Sequence, residues 1–186
     1  MTKLVAFLRG INVGGHVAKK EQLREAFESL SFQNVVTYKQ SGNVIFEANV
    51  NDAGKIGVEI EEKLRDTLGY DVAVSVRSIA QLKTIVNSDP FKGQEKEGTS
   101  HLVTLLRSSP SKFPFELPAV IPKSTAKIVS AKGAEVFSET HGGGEGALPN
   151  PFLESKLKVK ATTRNMNTIR EIVKNFGERK PPQSHK

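Results

Sequence analysis

An α+β fold of two tandem βαββαβ units, each followed by an extra helix, is what this sequence predicts. Three observations predict it. KLVAFLR (3–9) recurs as HLVTLLR (101–107), GNVIF (42–46) as GAEVF (133–137), and VRSIAQLKTIV (76–86) as TRNMNTIREIV (163–173). The three matches keep one order at offsets of 98, 91 and 87 residues, as an internal duplication requires. In each half, short apolar runs alternate with stretches of helical period in the order strand, helix, hairpin, helix, strand.

The elements of the first half, residues 1–90, follow in order. Leu4–Leu8 is a short apolar strand, and a glycine-rich loop leads to a helix from Lys19 to Leu30 with Leu23, Phe27 and Leu30 on one face. Val35–Lys39 and Val44–Glu47 flank a Ser41-Gly42 turn and form a hairpin. Asn51 or Asp52 caps a second helix carrying Ile56, Ile60, Leu64 and Leu68. The acidic pair Glu61-Glu62 is expected on its exposed face. Val72–Val76 alternates as a strand, and a third helix runs through Ile79, Leu82 and Val86. The polar run 88–100 is the linker.

The second half, residues 101–177, repeats this less cleanly. His101–Leu106 is a strand, and the prolines between Pro110 and Pro122 leave room only for a short or broken helix. Ala126–Ser130 and Glu135–Ser138 form the second hairpin around Lys132-Gly133. Pro151 opens a short helix. Leu157, Val159 and Ala161 alternate with Lys156, Lys158 and Lys160, which predicts a strand. TTRN (162–165) then marks the start of a last helix with Met166, Ile169, Ile172 and Phe176 inward and Gly177 at its end. Residues 178–186 read as a loose basic tail. The order β-α-β-β-α-β is the ferredoxin-like pattern.

Taken together, LRGINVGG (8–15), TYKQSGNV (37–44), VRS (76–78), SKL (155–157) and TTRNMNT (162–168) make the chain resemble the bacterial family known as domain of unknown function 1697. The resemblance covers nearly the whole chain. It implies two tandem ferredoxin-like units and no established activity. The family pattern usually has tryptophan where this chain has Met166, a change of packing on an apolar helix face.

Composition narrows the function. The chain has 186 residues, 37% hydrophobic and 25% charged, enough for a real core. It has no cysteine, which excludes disulfides, thiol nucleophiles and thiolate metal sites. The first apolar run is too short for a signal-peptide core, and no run reaches spanning length, so the expected location is cytoplasmic with no membrane partner. The net charge is +7, and residues 156–186 alone carry nine Lys/Arg against two Asp/Glu. His16, His101, His141 and His185 show no metal-ligand spacing, and neither a P-loop nor a nucleophile elbow occurs, so no metal or cofactor is expected.

The polar residues of the motifs point to anions. In the βαββαβ topology the end of the first strand and the hairpin turn share one sheet edge. Arg9, Asn12, Gly14 and Gly15 are therefore expected near Ser41 and Asn43, either as a tight turn or as an anion nest. Arg77 and Arg164 occupy matching junctions, and Ser155, Lys156, Thr163 and Asn165 surround the second. A helix start there is read as a cap or as an anion site. These twelve residues are the candidate ligand-binding set, and a nucleotide or a phosphorylated or acidic metabolite is the expected partner. A nucleic-acid surface at the basic C-terminal end and a metal-independent enzyme are the alternatives.

Overall fold

The computed structural model describes residues 1–12, 14–40, 42–49, 53–93, 97–142 and 148–177. Ser41, the expected cap Asn51 or Asp52, most of the glycine-rich HGGGEG loop (141–146) and the tail 178–186 lie outside the described residues.

The first half contains β1 (Thr2–Arg9), α1 (Lys20–Ser29), β2 (Gln33–Tyr38), β3 (Asn43–Ala48), α2 (Ala53–Leu68), β4 (Ala73–Ser78) and α3 (Ile79–Asn87). Its four strands form one antiparallel sheet in the order β2-β3-β1-β4. The second half contains β5 (Thr99–Leu106), β6 (Ala119–Val120), β7 (Ala126–Lys132), β8 (Glu135–His141), α4 (Asn150–Leu157), β9 (Ala161–Asn165) and α5 (Met166–Phe176). Its antiparallel sheet has the order β6-β7-β8-β5-β9. Matching β5 to β1, β7 to β2, β8 to β3 and β9 to β4 makes the two orders coincide, with β6 as an added edge.

The second half departs from the expected pattern in two places. Between β5 and β7 there is no helix but the two-residue strand β6, since the prolines there remove amide donors and fix φ. The expected strand at Leu157–Ala161 is instead the end of α4 and a short connection. Lys158 takes the left-handed conformation (φ +58°) and caps α4, its amide bonding to Glu154 O. The strand lies later, over the residues read as a helix start. In it Thr162 and Arg164 are buried, and only Asn165 caps α5, accepting from Asn167 N at 2.9 Å.

Three apolar clusters hold the layers. In β1, Leu4, Ala6 and Leu8 face α1 and α2, while Val5 and Phe7 face the other way. The second cluster joins the halves: Val5, Phe7 and Ile45 meet Val103, Leu105 and Phe137, with α3 and α5 alongside. Met166 is fully buried there, as its place on the apolar helix face predicts. The third cluster covers the outer face of the second sheet with Leu153 of α4 and with Ile121, Phe113 and Phe115 of the proline-rich segment. A β1 buried on both faces reads as a continuous apolar run, which is why LVAFL was legible. No helix among the described residues is long and apolar enough to cross a membrane.

Candidate functional site

The motif arginines are brought together across the two halves. Arg164 of β9 is buried and reaches the end of β1 and the turn before β3. Its Nε donates to Asn43 Oδ1 at 2.8 Å, its Nη2 to Leu8 O at 2.6 Å and Gly42 O at 3.2 Å, and its Nη1 to Thr163 O at 2.9 Å. The guanidinium also lies over the Phe7 ring, 5.7 Å from its centroid. Burial pulls its pKa down to about 10, so it remains charged at neutral pH.

Arg77 makes the same contacts in the opposite direction. Its Nε donates to Glu135 Oε1 at 2.9 Å, its Nη2 to Leu106 O at 2.7 Å and Ala134 O at 3.4 Å, and its Nη1 to Val76 O at 2.9 Å. Each half thus receives an arginine from the other at the same sheet edge.

A second reciprocal pair involves the arginines that end β1 and β5. Arg9 Nη1 donates to Glu154 Oε1 at 2.5 Å and Ala161 O at 2.7 Å. Arg107 Nη2 bonds Glu61 Oε1 and lies 3.5 Å from Val74 O. Each glutamate also accepts the amide of a strand in its own half, Glu154 from Ala161 N at 2.9 Å and Glu61 from Val74 N at 2.8 Å. Ser75 Oγ faces Thr162 Oγ1 at 3.3 Å between these pairs.

Glu61 therefore corrects the expectation of an exposed acidic face. It is 6% exposed and also accepts from Lys160 Nζ at 3.2 Å. The repeat held the clue. Both LVAFLR and LVTLLR end in arginine, and two arginines at matching interior edges call for two acceptors.

The remaining candidates divide. Asn12 (φ +55°) ties the glycine loop down, its Nδ2 donating to Gln40 O and its Oδ1 accepting from Ala18 N, both at 3.1 Å. The expected meeting of the β1 end with the hairpin turn is thus present: Leu8 N donates to Gly42 O at 2.8 Å. Gly42 has φ +75°, and a Cβ there would lie 2.6 Å from Ile11 Cδ1, so only glycine fits. Gly14 and Gly15 lie on the exposed turn. Thr163 is bonded to Thr104 and Asn150. Ser155 and Lys156 are exposed on α4, with the Lys156 ammonium 6.0 Å from the Phe152 ring centroid.

Two clefts result. One, of about 400 Å³, opens where the glycine loop, the start of α1 and the β2–β3 turn converge. Ile11, Val17 and Leu23 form its apolar side, and Asn12, Asn43, Lys19, Lys20, Glu21 and Lys39 its polar side. The sequence reading missed Lys19 and Lys20 because they sit beyond the glycine loop, in what reads as an ordinary helix start. The other cleft, of about 500 Å³, lies between the halves and is lined by Arg9, Gly10, Asp71, Ala73, Glu154, Lys158, Val159 and Lys160.

Lys39 bonds Glu171 of α5 at 2.6 Å, and Tyr38 donates to the same carboxylate at 2.9 Å. The Lys39 bond, then the Tyr38 bond, holds Glu171 below the usual carboxylate range. The Glu171 bond raises the Tyr38 phenol, and burial raises that of Tyr70. Both tyrosines are therefore expected to ionise above about 10 in an absorbance titration, and Glu171→Gln to bring one of them down. A titration that the substitution leaves unchanged would break this assignment.

The three described imidazoles serve packing and local bonds. His16 stacks on Tyr70 at 4.1 Å and His101 on Phe91 at 4.2 Å, while His141 Nδ1 meets Thr99 Oγ1 at 3.0 Å. Among the described residues no group of three or more His, Asp or Glu is placed to hold a metal ion.

Comparison with known proteins agrees with the architecture. The whole fold is similar to a solved structure of a conserved bacterial protein from Streptococcus pneumoniae, with a TM-score of 0.65 at 17% identity over 96% of this chain and 99% of that one. No curated protein matches. The family model described as protein of unknown function DUF1697 matches residues 1–137, and the chain belongs to that family.

Proposed function

We propose that the chain consists of two ferredoxin-like units derived from one duplicated ancestor, and that the first unit binds a small anionic ligand, a nucleotide or a phosphorylated metabolite. The coinciding strand orders and the reciprocal arginines support the duplication. The binding reading rests on one observation: the 400 Å³ cleft sets an apolar side against Lys19 and Lys20 at the start of α1 and Lys39 in the β2–β3 turn, three cations to the single acid Glu21. A ligand with an apolar body and an anionic end matches that division. Lys19 is the residue before α1; its ammonium cannot cap the helix, and Gln22 Oε1 accepts the Lys19 amide at 3.1 Å. Arg77 and Arg164 act by positioning. Arg164 holds the turn that forms the cleft floor through Gly42 and Asn43.

Thermal shift against nucleotides and phosphorylated metabolites tests this. A ligand at 100 times its dissociation constant stabilises by about 2.7 kcal/mol, which for a chain of this size raises the melting temperature by roughly 5–11 °C. The shift is expected to vanish in a Lys19→Ala, Lys20→Ala variant of unchanged circular dichroism. A shift that persists there, or none with any ligand, overturns the reading.

A further inference from the structure

We propose that the cleft between the halves is a second binding site, for a phosphate group or a comparable small dianion, held by Arg9, Lys158 and Lys160. It shares no lining residue with the cleft at α1. Both halves build it, Arg9 and Asp71 from one and Glu154, Lys158 and Lys160 from the other.

Charge makes the first argument. Three cations, Arg9, Lys158 and Lys160, line the cleft. Two acids line it with them, Asp71 and Glu154, and each is already committed. Glu154 serves Arg9 and Ala161 N, and Asp71 serves Arg65 at 2.6 Å; Glu61, outside the lining, serves Arg107, Lys160 and Val74 N. Three against two leaves the lining net positive, which favours an anion.

Donor geometry makes the second. Arg9 is anchored through Nη1 alone. Among the described residues no acceptor meets its Nε or Nη2, and none meets Lys158 Nζ. A guanidinium fixed at one nitrogen keeps its planar fork in place for an oxyanion at little further entropic cost. Gly10 adjoins it with φ +90°, where backbone approaches the cleft without a side chain. The Lys160 ammonium is half-exposed, and its pKa is lowered by burial first and then by Arg107, with Arg65 and Arg9 adding to this and Asp71 opposing. A bound anion relieves that crowding.

The test is an amide NMR titration of the full chain with inorganic phosphate and with pyrophosphate. Saturable shifts are expected around Gly10 and residues 158–161. Lys158→Asn with Lys160→Gln leaves Arg9 in place, and asparagine tolerates the left-handed backbone at 158. This variant is expected to weaken binding about tenfold or more, the loss of at least one charge-assisted bond. The Lys19→Ala, Lys20→Ala variant is expected to bind phosphate here unchanged, which separates this site from the one at α1. Unaltered affinity in the Lys158/Lys160 variant, shifts confined to the α1 cleft, or no saturable shift overturns the proposal.

Discussion

Replacing Arg164 by alanine is expected to destabilise the fold by about 3 kcal/mol or more, because buried acceptors lose a charged donor. Leu8 O, Gly42 O and Asn43 Oδ1 all accept from this one side chain, and the Phe7 ring loses the group stacked over it. In a chain of this length that is roughly a 6–12 °C fall in melting temperature. Arg164→Lys keeps a charge but replaces a planar fork by a single point, and it is expected to recover only part of the loss. Urea unfolding should show a lower midpoint with unchanged slope, the mark of lost stability without a changed unfolded state. A variant within about 0.5 kcal/mol of the parent would mean that the clamp contributes little beyond surface substitution.

The second large effect is expected at Glu61. Its side chain is 8% exposed and answers Arg107, Lys160 and the Val74 amide, whereas Glu154, in the matching place, is 25% exposed and answers Arg9 and the Ala161 amide. Removing one partner of a buried pair leaves a charge without compensation, and Glu61→Ala is expected to cost about 3 kcal/mol. Glu154→Ala is expected to cost about 1–2 kcal/mol, since water reaches the site and replaces part of what is lost. Adding Arg107→Ala to Glu61→Ala should cost less than the sum of the two single changes. Equal losses at Glu61 and Glu154 would show that burial does not set the difference.

These predictions concern residues that a local pattern misreads. LVAFL, the Ile56-Ile60-Leu64 stripe and the hairpin at Gly42 were legible because apolar spacing and a glycine turn are properties of neighbouring residues. TTRN was not. A strand whose inward positions are Thr162 and Arg164 carries no apolar alternation, and its partners, Leu8, Gly42 and Ser75, belong to the other half. Lys156 to Ala161 erred in the opposite sense. Their alternation imitates a strand, but the left-handed Lys158 ends a helix there. Glu61 looked like solvent-facing charge because its cations are 46 and 99 residues away. Two arginines of the candidate set are taken up within the molecule: the partners of Arg77 and Arg164 include carbonyl, amide and carboxylate oxygens of the chain itself.

The reciprocal arginines also set an order of events during synthesis. Asn43 leaves the ribosome 121 residues ahead of the Arg164 that will bond it. At about 5–20 residues per second that is an interval of roughly 6–24 s. Until the second half follows, the nascent first half must keep the end of β1 hydrated, with Val5, Phe7 and Ile45 covered only by its own α3. The face that becomes the centre of the finished molecule is, for those seconds, its outermost apolar surface.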